Sequence, residues 1–199
     1  PWLPSGPDAP VVELGCGTGG FLAALQQRGH THLRGCDLSP ELARHATETV
    51  GVPVDHAHAL EFLRAQPTGL DTVYAFDLVE HLQPEALFEL LKAVHAKLAP
   101  GGQFIGTTPN AESPKAFYAL VSDPTHQHVL TPRNLTFYAI LAGFDRTDTG
   151  PVHLGAAIPG TIDRVVKSLM YPFFVATHFA LFFHRPRHLT ANFRFRLTR

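Results

Sequence analysis

Residues 11–21, "VVELGCGTGGF", set four glycines, Gly15, Gly17, Gly19 and Gly20, directly behind an apolar run that carries one carboxylate, Glu13. A short apolar run that ends in glycines suits a buried strand turning sharply into a helix. Glycine at such a turn admits positive φ and lets a ligand approach where a Cβ would clash. The next residues, "FLAALQQRG", have helical apolar spacing and end on Gly29 as a C-cap.

This strand, loop and helix unit repeats along the chain. "HLRGCDL" (32–38) predicts a second strand, and Ser39-Pro40 supplies an N-cap and a first-turn proline for the helix "ELARHATETV". A short third strand is expected near Val52 to Val54, followed by the helix "ALEFLRAQ". "DTVYAFDLV" (71–79) is apolar enough to be buried on both faces, as parallel strands are. Pro84 then opens the amphipathic "PEALFELLKAVHAKLAPGG", closed by Pro100-Gly101-Gly102, and "QFIGTTPN" is the fifth strand. The alternation predicts an α/β fold: a Rossmann-like, open, mostly parallel sheet with helices on both faces. "TPRNLTFYAILAGF" predicts one more helix, while "TANFRFRL" alternates like a half-exposed strand and is expected to join the sheet antiparallel. Residues 1–199 are expected to form a single domain, with a cofactor half over about 10–110 and an acceptor or lid half over about 111–199.

Lysine plus arginine (16) nearly balances aspartate plus glutamate (17), so no global field points to DNA or to an anionic membrane. The basic run "HRPRHLTANFRFRLTR" reads as a solvated strand face. Two cysteines, Cys16 and Cys36, are too few for a disulfide framework and suit the reducing cytoplasm. The opening "PWLPSGPDAP" lacks the pattern of a secretory signal and reads as a linker. Residues 165–183, "VVKSLMYPFFVATHFALFF", are very apolar but interrupted by Lys167, Pro172 and His178. They are expected to form a core or lid helix, with a membrane-surface or lipid-substrate contact as the alternative to it.

The spacing Gly15-x-Gly17-x-x-Gly20 also satisfies a dinucleotide fingerprint, and Asp37 stands where an acid would take ribose hydroxyls. Glu13 discriminates between ligands. A carboxylate there would repel a pyrophosphate across a low-dielectric crevice, and would attract a nucleoside that carries an ammonium and a sulfonium but no phosphate. S-adenosylmethionine is such a ligand. Over roughly residues 10–145 the chain resembles the class I S-adenosylmethionine-dependent methyltransferases: Glu13-Leu14-Gly15-Cys16-Gly17-Thr18-Gly19 matches their first motif, E/D-x-G-x-G-x-G, and Asp37 matches the acid after their second strand. The resemblance implies cofactor contacts from Glu13, Gly15, Cys16, Gly17, Gly19, Asp37, Leu38, His58, Ala59 and Asp77. One position departs from the family pattern, which has an aspartate near the adenine amino group after strand three; His58 or Asp55 would stand there.

Methyl transfer to oxygen or nitrogen is an in-line displacement that needs positioning and removal of a proton, so a base or a metal is expected near the ends of strands four and five. "FDLVEHL" offers Asp77, Glu80 and His81 with the spacing D-x-x-E-H. On a helical turn these fall on one face and could hold magnesium, manganese, iron or zinc. The spacing is similar to the E-x-x-E-H of ubiquinone-biosynthesis O-methyltransferases and small-RNA 2′-O-methyltransferases, where those residues can hold a divalent metal. His126 and His128, in "SDPTHQHVLTPRNL", are the second constellation. The resemblance makes a histidine here either a further metal ligand or the general base, and an imidazole can take a hydroxyl proton near neutral pH. His81, His126 and His128 are therefore the catalytic candidates. Phe117, Tyr118 and Tyr138 either shape an acceptor pocket or belong to the core, and His95 is assigned no role.

The leading expectation is an enzyme that methylates a hydroxyl of a small molecule such as a sugar, a quinone precursor or a natural-product intermediate. The alternatives are a metal-dependent RNA 2′-O-methyltransferase, less favoured because the chain lacks an added nucleic-acid module, and a non-catalytic methyltransferase-like binding domain. Glu13 disfavours a nicotinamide-dependent oxidoreductase.

Overall fold

The computed structural model describes residues 2–152, 172, 175–177, 179–180 and 190–199. Most of the apolar stretch 165–183 lies outside them. No helix among the described residues is long and apolar enough to cross a membrane.

Five strands run parallel: β1 (Val11–Leu14), β2 (Leu33–Asp37), β3 (Val54–His56), β4 (Leu70–Phe76) and β5 (Leu98–Pro109). With β6 (Arg146–Pro151) and β7 (Asn192–Thr198) they form one seven-stranded sheet in the order β3-β2-β1-β4-β5-β7-β6. The expected doubly covered, mostly parallel sheet is present, and the C-terminal strand joins it antiparallel as its alternation predicted. β7 inserts between β5 and β6, pairing Gly106 with Phe195 and Gly150 with Arg194. Gly106 is required there because a Cβ would stand 2.1 Å from the Ala75 carbonyl oxygen and 2.5 Å from the Phe195 ring.

Helix α1 (Gly20–Gln26) packs Leu22 and Leu25 on one face of the sheet against Val11, Leu33, Tyr74 and Ile105. α2 (Pro40–Val50) starts as its capping residues dictate: Ser39 Oγ accepts from the Leu42 N–H at 3.3 Å and Pro40 fills the first turn. On the opposite face, α3 (Ala59–Ala65), α4 (Pro84–Lys97) and α6 (Pro132–Leu141) bury Phe62, Leu63, Leu87, Leu90, Leu91, Val94, Leu135 and Ala139 against Val12, Leu14, Val73, Phe104 and the inward side of β7. Thr131 caps α6 by accepting from the Asn134 N–H at 3.0 Å.

Some boundaries and elements differ from the sequence reading. β3 lies two residues later than expected. β5 begins at Leu98 and carries Pro100-Gly101-Gly102 as an irregularity, where the Gly101 N–H donates to the Arg199 carbonyl and the register against β4 shifts. A short helix, α5 (Ala116–Ser122), and the polar edge strand β6 had no periodic signal. The order reverses at β1, whose neighbours are β2 and β4, and a sheet of this kind opens a crevice at the carboxyl ends of those strands.

Candidate active site

The glycine loop lies in that crevice. Gly15, Gly17 and Gly19 all have positive φ, at 67°, 55° and 77°. At Gly17 a Cβ would meet nothing within 4 Å, so the chain there is bare backbone facing open space. The Gly17 N–H donates to Asp37 Oδ2 at 2.8 Å and the Ser39 N–H donates to Oδ1 at 2.9 Å, which fixes the carboxylate at the end of β2. Leu38 beside it is 59% exposed, an apolar surface at the crevice edge. His58 precedes α3 with its side chain exposed and no capping bond, and Ala59 begins the helix. Asp55 pairs with Arg34 at 2.9 Å. Both cysteines are buried free thiols. Burial pushes each up to about 12, so they stay protonated.

Glu13 is buried on the last turn of β1, and its Oε2 has no hydrogen-bond partner among the described residues. Desolvation, with a smaller push from the Asp37 charge, raises its pKa to about 8. A buried carboxyl oxygen without a donor suits a ligand that brings an ammonium, whose charge would favour the ionised form that burial disfavours. The loop, the orphaned oxygen and the anchored Asp37 therefore fit S-adenosylmethionine.

Asp77 follows β4 with φ of 48°, a left-handed conformation that Asp tolerates better than most residues. Its N–H donates to the Thr107 carbonyl at 3.0 Å, and its Oδ1 accepts from Thr107 Oγ1 at 2.9 Å and from Asn192 Nδ2 at 3.2 Å. The turn then enters a 3₁₀ segment, Val79–His81, and Leu78 leans on the glycine loop, 3.2 Å from where a Gly15 Cβ would be.

That short segment buries Glu80, whose Oε2 accepts from Thr108 Oγ1 at 3.1 Å. Desolvation, reinforced by the charge on Asp77, raises the Glu80 carboxyl to about 7. The Glu80 carbonyl accepts from the Gln127 N–H at 2.9 Å, docking the loop of residues 125–128 onto the turn. In consequence the His81 and His126 rings lie 4.8 Å apart. Their tautomers follow from their neighbours. Thr125 Oγ1 gives its proton to Asp123 Oδ1 at 2.6 Å, so at 2.8 Å it accepts from His81 Nδ1. His126 Nδ1 donates to the Ala119 carbonyl of α5 at 2.7 Å. In the neutral form each imidazole then carries its proton on Nδ1 and its lone pair on Nε2.

One donor atom from each of Glu80, His81 and His126 lies within 4.8 Å of the other two, the one such group among the described residues. The metal-type cluster is therefore not the expected Asp77, Glu80 and His81: His126 enters it, and Asp77 stands outside, held by Thr107 and Asn192. His128 is also apart. It sits near the Leu82 carbonyl, neither ring nitrogen makes a well-formed hydrogen bond among the described residues, and burial lowers its pKa. His95 stacks edge-on against Phe144 at 5.3 Å, a packing role. The sequence reading missed Thr107, Thr108, Asn192, Thr125, Asp123 and the Ala119 carbonyl, which all act by orienting another group. The pair Thr107-Thr108 carries a weak signal, since alternate strand residues point to opposite faces.

The comparisons with known proteins agree with this geometry. The family model for a methyltransferase domain matches residues 2–148. A probable S-adenosylmethionine-dependent methyltransferase of Mycolicibacterium smegmatis is 30% identical over 149 residues, covering 74% of this chain and 56% of that protein, so the chain spans little more than half the length of this curated relative. Among solved structures, an S-adenosylmethionine-dependent methyltransferase from Archaeoglobus fulgidus superposes with a TM-score of 0.73 at 22% identity, over 96% of this chain and 86% of that one. A phosphoethanolamine N-methyltransferase of Haemonchus contortus, solved with phosphomonomethylethanolamine and S-adenosylhomocysteine, gives 0.65 at 17% identity, over 98% of this chain and 49% of that one. At such identities the structures speak for the fold alone, whereas the family match spans well over half of the 199 residues, and the chain belongs to the methyltransferase domain family, of the class I, S-adenosylmethionine-dependent kind.

Proposed function

We propose that this protein transfers the methyl of S-adenosylmethionine to a hydroxyl of a small molecule, with a histidine of the His81–His126 pair as general base. The observation that carries this reading is the approach of the two rings to 4.8 Å beside the ends of β4 and β5, each with its Nδ1 held by a protein oxygen and its Nε2 without a donor among the described residues. The cofactor supplies a sulfonium-bound methyl that needs no activation once it is in line. The chain's task is to hold it and to deprotonate the acceptor.

In this reading Asp37 accepts both ribose hydroxyls while its backbone partners keep it in place. Leu38 covers one face of the adenine, and His58 and Ala59 border its edge. Glu13 and Asp77 would hold the methionine ammonium, and the backbone of Gly15, Cys16, Gly17 and Gly19 would border the chain of the ligand. His126 takes the hydroxyl proton on Nε2 as the acceptor oxygen attacks, with Asp123 Oδ2 at 3.9 Å from that nitrogen to steady the imidazolium. Asp123 stays ionised because the Thr125 hydroxyl holds it below the usual carboxylate range. Glu80 and Thr108 support the turn that carries His81.

The cluster of Glu80, His81 and His126 favours a second reading, in which these three hold a divalent ion. One carboxylate and two imidazoles suit manganese, iron or zinc, and such an ion would lower the pKa of the acceptor hydroxyl. A panel of catechols, phenols, sugars and amines assayed with labelled S-adenosylmethionine tests the proposal. Label on a hydroxyl oxygen is expected. Label only on nitrogen overturns it.

A further inference from the structure

Resting on that reading, we infer that the acceptor is amphiphilic: its hydroxyl-bearing head meets His81 and His126, and its apolar body lies along α5 on Phe117, Tyr118 and Val121. Those three side chains are 77%, 71% and 57% exposed, and α5 buries none of its residues. A helix of seven residues is unstable by itself in water and ordinarily survives by burying an apolar face. Here the apolar side chains point outward instead. An exposed group of large apolar residues in one place marks a contact surface, not ordinary surface scatter.

Position and charge identify the occupant. The Ala119 carbonyl in the middle of α5 holds His126 Nδ1 at 2.7 Å, so the helix that carries this surface is joined directly to the histidine pair. Residues 116–122 carry no charge, with Lys115 and Asp123 at the two flanks, and such a surface has nothing to offer a phosphate backbone. Tyr118 adds a hydroxyl on an apolar ring, the side-chain type found where one end of a contact is dry and the other wet. A small molecule with an apolar tail matches these features, and an anionic polymer does not.

The test uses the protein loaded with S-adenosylhomocysteine, titrated calorimetrically with ethyl, hexyl and dodecyl catechol below their micelle concentrations. Affinity should climb by about tenfold or more from ethyl to dodecyl, since each methylene removed from water adds to binding. The combined variant Phe117→Ser, Tyr118→Ser and Val121→Ser should abolish most of that climb while keeping its affinity for S-adenosylhomocysteine, which reports that the variant is folded. Affinity independent of tail length, or a climb that survives the triple variant, overturns the inference. So does a wild-type protein that ignores the catechols but sediments with phosphatidylcholine vesicles, or one that dimerises through α5 and loses the dimer in the variant. Failure of the underlying reading looks different: dodecyl catechol would then bind as expected without being methylated.

Discussion

Asn192, on the last strand, donates to Asp77 Oδ1 at 3.2 Å across a separation of 115 residues, so the far edge of the chain fixes the acid that follows β4. Thr107, on the strand between them, donates to the same oxygen at 2.9 Å. Two donors on Oδ1, with the Asp77 N–H on the Thr107 carbonyl, hold a left-handed turn that would otherwise relax.

Asn192→Ala should therefore act on cofactor binding through Asp77. Loss of one hydrogen bond to a charged group is worth about 1.5 kcal/mol, near a tenfold rise in the KM for S-adenosylmethionine, with kcat changing much less. Initial-rate kinetics separate the two. A fall in kcat with unchanged KM would remove the positioning role.

Glu13 gives opposite pH trends for stability and for binding. Its folded pKa, about 8, stands above the ordinary value of 4.5, so the folded protein without ligand keeps a proton that the unfolded chain releases over that interval. The stabilisation is complete below the lower value and is lost as pH rises toward the upper one, at up to about 1.4 kcal/mol per pH unit. The ammonium of S-adenosylhomocysteine needs the ionised carboxylate, so its affinity should rise over the same interval. Denaturant titrations and calorimetry at several pH values check both slopes, and Glu13→Gln should flatten them together.

If Asp37 binds the ribose as proposed, Asp37→Ala should weaken cofactor binding by about 1–3 kcal/mol, because the ribose hydroxyls would lose an acceptor and the Gly17 and Ser39 amides lose theirs. Equilibrium titration with S-adenosylhomocysteine measures it. An unchanged Kd would remove Asp37 from the cofactor site.

What the sequence disclosed and what it concealed divide along physical lines. β1 to β5, α2, α4 and α6 were legible because buried strands leave apolar runs and the helices announce their ends, as Ser39-Pro40 and Thr131-Pro132 do. The antiparallel β7 was legible because Phe193, Phe195 and Leu197 alternate with polar residues. β6 escaped notice because its residues, RTDTGP, are held by the Arg196 and Arg146 pairs to Asp148 at 2.7 and 3.0 Å instead of by apolar burial. At the candidate site, the placement of Glu13 and Asp37 beside the glycine loop followed from local spacing. The exchange of His126 for Asp77 in the cluster did not, because it depends on the Gln127 amide meeting the Glu80 carbonyl, a main-chain contact that leaves no mark on residue identity.

The histidine pair yields the test that separates base from ion. In the structure both rings are already oriented by protein groups, His81 by Thr125 and His126 by the Ala119 carbonyl with Asp123 near its other nitrogen, so the pair is built to exchange a proton without further partners. Turnover is therefore expected to survive exhaustive treatment with a chelator. His126→Ala should lower kcat by about 10²–10⁴-fold while leaving the affinity for S-adenosylhomocysteine intact, the range that general-base catalysis spans. His126→Asn would keep a hydrogen-bonding side chain and should not restore the rate, since an amide cannot take the proton. Activity lost in chelator and regained with manganese or zinc would instead assign Glu80, His81 and His126 to a metal, and the base would then have to be sought elsewhere.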